Sequence, residues 1–71
     1  MSWEQSVYSS NASSVAYDPE TQEMTITWSK SGRRSVYSGV PEDVAHACAN
    51  APSVGQYINS EIKPNYEHRY L

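Results

Sequence analysis

Four cationic and two aromatic side chains of this chain could contact a phosphate-bearing ligand. The 71 residues carry a net charge of −3, but the first 29 contain no lysine or arginine, and three cations then follow within residues 30–34. Cations neutralise phosphate, and tyrosine rings provide flat surfaces on which a base can stack. We assign these roles to Arg33, Arg34, Lys63, Arg69, Tyr37 and Tyr66. The alternative is that residues 30–34 form a solvated hairpin tip that favours solubility.

A second group of candidate residues belongs to the segment SVGQYINSEIK. Ser53 followed by Gln56 three residues later is a capping-box pattern, which predicts a helix N-terminus there. Unpaired backbone N–H groups at such an end attract anions, so Ser53, Gly55 and Asn59 could contact phosphate. Ser53 could equally be a plain N-cap. Because glycine lowers helix stability, Gly55 indicates either close packing or a ligand that approaches the backbone.

The polar run Ser9, Ser10 and Asn11 precedes the first predicted strand. Residues of these types commonly form turns in which the side chain bonds to its own backbone. The functional alternative is a ligand loop, in which hydroxyl and amide groups contact phosphate or a base edge. Both interpretations stay open from the sequence.

No combination of residues predicts catalysis or metal binding. Cys48 lies two residues after His46, and on a helix this spacing directs the two side chains apart, so we expect Cys48 in the core. The two histidines and one cysteine match no zinc pattern. Glu42 and Asp43 suit the positive end of a helix dipole. The sequence therefore predicts a non-enzymatic domain without a cofactor or metal.

The elements that must position the candidate residues are predicted to be three strands and two short helices. The strands are expected at residues 14–17, 23–30 and 33–38. The second strand alternates apolar and polar side chains, and the connections are short enough to require an antiparallel meander. The helices are expected at residues 41–51 and 53–63, the second with an apolar stripe of Val54, Tyr57, Ile58 and Ile62. The predicted fold is α+β, a three-stranded antiparallel β-meander followed by two short α-helices packed on one face.

The length and composition predict one small domain, residues 7–71, after a tail formed by residues 1–6. Val, Ile and Leu together number ten and Phe is absent, so the eight Trp and Tyr residues should build part of the core. A core this limited favours association, and we consider a homodimer. We expect no signal peptide and no membrane span, and together with the single cysteine these expectations place the chain in the cytoplasm.

Several short motifs, in this order, resemble the KTSC domain. They are SSN at residues 9–11, SVAYDPET at 14–21, GVP at 39–41, S-x-G-x-Y-x-N at 53–59, and IKPNY at 62–66 with Arg69. The resemblance covers nearly the whole chain from about Val7. It departs at two positions, because Ser35 stands where the family usually has a second aromatic residue, and Ile58 stands within a motif that usually reads YFN.

KTSC domains are small and occur alone in bacteria and their phages, and at the C-terminus of some lysyl-tRNA synthetases. The resemblance therefore implies a cytoplasmic accessory module in contact with nucleic acid. Our leading hypothesis is a binding domain for a short single-stranded nucleic acid or a nucleotide, since five cations against eight acids cannot form an extended phosphate track. One alternative is a protein-interaction module, such as a phage-encoded modulator of a host protein, with an exposed Trp3 at its interface. Another is an oligomer that sequesters a small nucleotide signal between its subunits.

Overall fold

The computed structural model describes residues 2–7 and 11–71, which form an antiparallel sheet with helices on one face. The strands are β1 (Trp3–Ser6), β2 (Ala12–Asp18), β3 (Glu23–Trp28), β4 (Arg34–Tyr37) and β5 (His68–Tyr70). They pair in chain order, from β1 to β5. The helical elements are α1 (Glu42–Ala49), α2 (Val54–Tyr57) and a π-helical turn (Ile58–Ile62) that continues directly from α2.

The predicted α+β class is confirmed, but the sheet has five strands and not three. Strand β1 forms from residues that were predicted to be a tail, and β5 forms beyond the second predicted helix. Both are edge strands of three or four residues, too short to show a clear alternation of apolar and polar residues. Each pairs with a neighbouring strand, which provides its backbone hydrogen bonds and determines its register.

Strands β2 to β4 form where alternating and β-branched residues predict them. On the helix-covered side, Val15 and Tyr17 of β2 lie beside Met24 and Ile26 of β3, and all four are buried. The tight turn between β3 and β4 depends on Gly32, whose φ of 70° is readily adopted by glycine and rarely by other residues. Its N–H donates to the Trp28 carbonyl at 2.9 Å and closes the turn.

Helix α1 packs its small residues against the sheet. Pro41 precedes it, Glu42 and Asp43 occupy its first turn, and Cys48 is buried together with Ala45 and Ala49. Small side chains allow the helix to approach β2 closely. The hydroxyl of Tyr17 donates to the Val40 carbonyl at 2.6 Å, which ties the sheet to the segment that leads into α1.

The second helix is only partly as predicted. Its stripe of Val54, Ile58 and Ile62 is fully buried, with Tyr57 packed against the same core. After one α turn, however, the Lys63 N–H donates to the Ile58 carbonyl at 2.8 Å, which is the i→i+5 bond of a π turn. Apolar spacing does not distinguish this wider turn from an α turn. The predicted capping box is wrong, because no side chain caps this helix.

The two faces of the sheet differ in composition. The face under the helices is the apolar core, while the opposite side, which we call the open face, is packed by no helix within residues 2–7 and 11–71. One row of side chains crosses the open face from β1 to β5. It consists of Glu4, Ala16, Thr25, Val36 and Arg69. Within the same ranges, no helix is long and apolar enough to cross a membrane.

Trp3 packs on its own domain, contrary to the expectation that it is exposed. Its indole stacks on the His46 ring at 4.6 Å with an interplanar angle of 15°, and it lies tilted against Tyr17 at 5.9 Å. The indole N–H is buried without a hydrogen-bond partner among the described residues. Strand β1 is therefore attached to the core by an aromatic contact as well as by its pairing with β2.

Candidate ligand-binding cleft

A cleft of about 400 Å³ lies on the helix-side face where β4 and β5 extend beyond the helices. It is lined by Trp28, Ser31, Arg33, Ser35, Tyr37, Lys63, His68 and Tyr70. The strand register explains this grouping, because Ser35 lies opposite Tyr70 and Tyr37 opposite His68 on neighbouring strands. Alternate residues of a strand share a face, so β4 and β5 each contribute two side chains to the cleft.

Ser35 forms a small polar part of the cleft wall and orients an indole. It is 1% exposed, and its hydroxyl accepts a hydrogen bond of 2.8 Å from the indole N–H of Trp28. Trp28 stands at the end of β3, diagonally across from Ser35 on the same face. A larger side chain at Ser35 would occupy space that the cleft now provides. The hydrogen bond fixes the orientation of the Trp28 ring.

Three aromatic rings follow one another along β4 and β5. Tyr37 and His68 stack with centroids 5.3 Å apart, and His68 meets Tyr70 edge-on at 5.5 Å. Tyr70 is 60% exposed, so its ring is available to an incoming group. Burial, reinforced by Tyr70 and Cys48, raises the pKa of the Tyr37 hydroxyl above its ordinary value, and the phenol stays neutral near pH 7.

Two cations stand over aromatic rings at this cleft. The Lys63 ammonium lies 5.8 Å from the centroid of the Trp28 ring, and the Arg33 guanidinium lies 5.7 Å from that of Tyr70. Neither forms a salt bridge with an acid of residues 2–7 or 11–71. None of the described residues that line the cleft is acidic. The site is therefore locally cationic although the whole chain has a net charge of −3.

The π turn and the β3–β4 turn determine where these two cations point. Lys63 follows immediately after the π turn, and its backbone N–H closes that turn on Ile58. Arg33 precedes β4 and its carbonyl accepts from the Trp28 N–H at 2.8 Å. The β3–β4 turn and the π turn are distant in sequence, yet each places one positive charge beside the aromatic rings of the cleft.

Three of the predicted site residues come together in this cleft, namely Arg33, Tyr37 and Lys63. Arg34 and Arg69 lie on the open face instead, because neighbouring residues of a strand point to opposite sides of a sheet. Arg69 forms an ion pair with Glu23 at 3.0 Å there. The two arginines of the β3–β4 turn are therefore separated by the sheet.

Three predicted site residues of the second helix, Ser53, Gly55 and Asn59, lie outside the cleft. Ser53 and Asn59 are exposed, whereas Gly55 is buried, which favours close packing as the reason for a glycine there. With Val54 and Gly55 buried, the expectation that the helix start is free to meet an anion is wrong. Tyr66 is half-buried and packs against the core.

The polar run before β2 is described only at its last residue. Asn11 is exposed, and its carbonyl accepts from the Ser29 N–H at 2.8 Å, which connects the start of β2 with the β3–β4 turn. Ser9 and Ser10 lie outside the described residues. The proposal of a ligand loop at these two positions stays a prediction.

Five lining residues were not among the predicted site residues: Trp28, Ser31, Ser35, His68 and Tyr70. Trp28 was assigned to the apolar face of β3, which is correct, but the sequence does not show that the helices leave this end of the face uncovered. His68 and Tyr70 were missed because β5 was not predicted. Their spacing of two, His-x-Tyr, is the one sequence signal that could have placed both on one face of a strand.

Outside the cleft, the nucleophilic and titratable groups of residues 2–7 and 11–71 form no reactive cluster. Cys48 is buried, and burial raises the pKa of its thiol to about 11. His46 faces Glu42 on the exposed side of α1, with 3.7 Å between the imidazole Nε2 and a carboxylate oxygen. In the parts of the chain that the structure covers, no three His, Cys, Asp or Glu side chains are placed to hold a metal ion.

Comparison with known proteins agrees with this α+β architecture of a five-stranded antiparallel sheet and helices on one face. The KTSC domain matches residues 8–66, and the chain belongs to this family. The chain is similar to the crystal structure of a KTSC domain protein from Yersinia pestis, with a TM-score of 0.89 and 30% identity over 100% of this chain and 99% of the other. It is also 39% identical over 62 residues to an uncharacterised protein of Stutzerimonas stutzeri strain A1501, covering 87% of this chain and 84% of that protein.

Proposed function

We propose that this chain is a non-enzymatic binding domain whose cleft accepts a nucleotide or a short single-stranded nucleic acid. The observation that supports this most directly is the position of Arg33 and Lys63 beside the aromatic rings of the cleft. A ligand that suits both features has a flat aromatic part and a negative charge. Nucleotides combine these features, with a base that stacks and a phosphate that binds cations.

The size of the cleft favours a short ligand. Its volume of about 400 Å³ lies at the lower end of the range of ~300–1,000 Å³ that is typical of small-molecule sites. The remaining arginines, Arg34 and Arg69, lie on the other side of the sheet, so the cations do not continue along one track. One nucleotide, or the end of a strand, is a better fit than an extended or double-stranded nucleic acid.

The neighbouring arginines of the β3–β4 turn provide a matched test. Arg33→Glu should weaken binding at least ~10-fold, because a charge-assisted bond to phosphate contributes about 1.5–3 kcal/mol. Arg34→Glu makes the same change of net charge on the opposite face and should have a much smaller effect. The measurement is fluorescence anisotropy of a labelled short oligothymidylate, with adenosine monophosphate as competitor, at several salt concentrations.

The expected result is binding that weakens as salt rises and that depends on Arg33 and Lys63. If wild-type protein binds neither probe at low salt, the proposed function is wrong. Equal losses in the two arginine variants would also contradict it, because net charge alone, and not this cleft, would then explain the binding. Circular dichroism of each variant establishes that a loss of binding is not a loss of fold.

A further inference from the structure

The open face of the sheet carries opposite charges at its two sides. In the row that crosses it, Glu4 on β1 is acidic, the three central residues are uncharged, and Arg69 on β5 is basic. In the rows on either side, Asp18 of β2 lies beside Glu23 of β3, and Arg34 of β4 lies beside Thr27 of β3, so the only cation of these two rows stands on the β5 side. A two-fold rotation about an axis parallel to the central strand exchanges these two sides.

We propose that the open face is an interface with a second copy of this chain, arranged about such a two-fold axis. Glu4 of each copy then faces Arg69 of the other, and Val36 faces Ala16. Thr25 lies on the axis and meets its own counterpart. An isologous interface requires a self-complementary surface, and a row that is acidic at one end and basic at the other meets this requirement.

The side chains in the middle of this face allow two sheets to approach each other. Ala16, Thr25 and Thr27 are small, and sheets stacked face to face lie ~10 Å apart. A groove of about 510 Å³ runs over this face, and its lining includes Glu4, Arg34 and these three residues. A second sheet would fill this groove, which no other described part of the chain occupies.

The charge near the axis does not oppose this arrangement. Glu23 lies on β3 and would meet the Glu23 of the second copy, but it is already paired with Arg69 at 3.0 Å within its own chain. Among the described residues, Glu4 accepts a bond from the Ser14 hydroxyl at 3.3 Å and forms no salt bridge. Arg34 forms no salt bridge with the described residues. Both charges can therefore contact the second copy.

The expected dimer is weak and sensitive to salt. Val36 is already only 3% exposed, so burying this face adds little apolar contact. A standard interface buries ~800 Å² on each partner, which is nearly a fifth of the 4404 Å² of accessible surface on this chain. The face would need to be covered almost completely to reach that value. Charge pairing, rather than apolar burial, should then decide the affinity.

Sedimentation velocity over low-micromolar to millimolar protein, at low and high salt, tests the proposal. Wild type should shift reversibly from monomer to dimer as concentration rises, and added salt should weaken the dimer. Glu4→Arg places like charges opposite each other and should raise the dimer dissociation constant at least ~10-fold. Adding Arg69→Glu alone would remove the partner of Glu23, so Glu23→Gln is added as well. This triple variant reverses the polarity of the row and leaves no charge at position 23, so it should regain the dimer.

A second variant tests the position of the axis. Thr25→Arg brings two arginines together at the axis and should give a monomer, whereas Lys63→Ala, on the cleft side, should leave the dimer unchanged. A wild-type monomer at every concentration would overturn the proposal, and so would a dimer that Glu4→Arg and Thr25→Arg leave intact. These measurements of dimerisation use no ligand of the cleft. Failure of the dimer proposal can therefore be distinguished from failure of the proposed function.

Discussion

The indole N–H of Trp28 donates a 2.8 Å hydrogen bond to the hydroxyl of Ser35, across the two strands that form one side of the cleft. This contact connects the interior of the sheet with the candidate site, because Ser35 is buried and the Lys63 ammonium lies over the Trp28 ring. The small size of Ser35 and its hydroxyl therefore have separate effects. The first provides space in the cleft, and the second orients the ring beside it.

Replacing Ser35 by alanine tests the second effect. The Trp28 N–H loses its acceptor while the cleft keeps its volume, so the free energy of unfolding should fall by about 1 kcal/mol. Urea unfolding followed by tryptophan fluorescence measures this change. Ser38→Ala, an exposed serine that follows β4, is the control and should leave stability nearly unchanged. Equal effects in the two variants would show that the hydrogen bond contributes nothing.

Replacing Ile58 by alanine should remove much of the stability of the domain. Ile58 is fully buried, and truncating such a residue costs about 2–5 kcal/mol, a large part of the total for a chain of this size. Asn59→Ala changes the next residue, which is exposed, and should alter the free energy of unfolding by less than ~0.5 kcal/mol. Thermal unfolding monitored by circular dichroism distinguishes the two. Similar melting temperatures would contradict the placement of Ile58 in the core.

Trp3→Ala tests whether β1 belongs to the domain. Because Trp3 stacks on His46 and packs against the core, its loss should lower the free energy of unfolding by about 1–3 kcal/mol. Glu4→Ala alters the neighbouring residue on the open face and should have little effect on the monomer. If residues 1–6 formed a tail, both variants would be as stable as wild type.

Alkaline pH should destabilise the fold through Cys48. Burial raises the pKa of this thiol from 9.0 to about 11, so its contribution is complete below pH 9, falls as pH rises, and is lost above pH 11. At ~1.4 kcal/mol per pH unit, the loss over this window is of the order of 2–3 kcal/mol. The buried Tyr17 and Tyr37 also have raised pKa values and add to the slope at higher pH.

The measurement is the free energy of unfolding between pH 8 and pH 11, compared with Cys48→Ala. The variant removes the thiol and should show a flatter decline over this range, whatever its stability at neutral pH. A slope identical to that of wild type would mean that the thiol ionises as easily in the folded as in the unfolded chain. Slow reaction of native protein with a thiol reagent, and rapid reaction after unfolding, provides an independent measurement.

Periodicity alone predicted the central part of the fold. The alternation in β3 and the four-residue spacing of Val54, Ile58 and Ile62 identified buried faces that the structure confirms. The edge strands could not be predicted, because a strand such as His68–Tyr70 is exposed at all three residues and depends on its partner β4. Because β5 was not predicted, two of the four aromatic side chains of the cleft, His68 and Tyr70, were missed.

The cations could be identified as candidate site residues from the sequence, but their positions in the fold could not be predicted. Arg33 and Arg34 are adjacent in sequence, and only the register of β4 shows that they lie on different faces. Lys63 directly follows a π turn and lies over the Trp28 ring, and apolar spacing does not reveal whether a turn closes on the fourth or the fifth residue. The resemblance to the KTSC domain identified the family correctly, but it did not determine which residues form the cleft.

The cleft depends on β5, a strand of three exposed residues at the edge of the sheet. Outside the β4–β5 register, this segment is held by two backbone bonds of 3.0 Å, from the Ser38 N–H to the Glu67 carbonyl and from the Leu71 N–H to the Arg34 carbonyl. The exposed ion pair of Arg69 with Glu23 is a further contact. Local opening of so short an edge strand requires far less free energy than global unfolding. The aromatic site can thus come apart while the core stays native, and a ligand that holds His68 and Tyr70 in place would slow amide hydrogen exchange in β5 first.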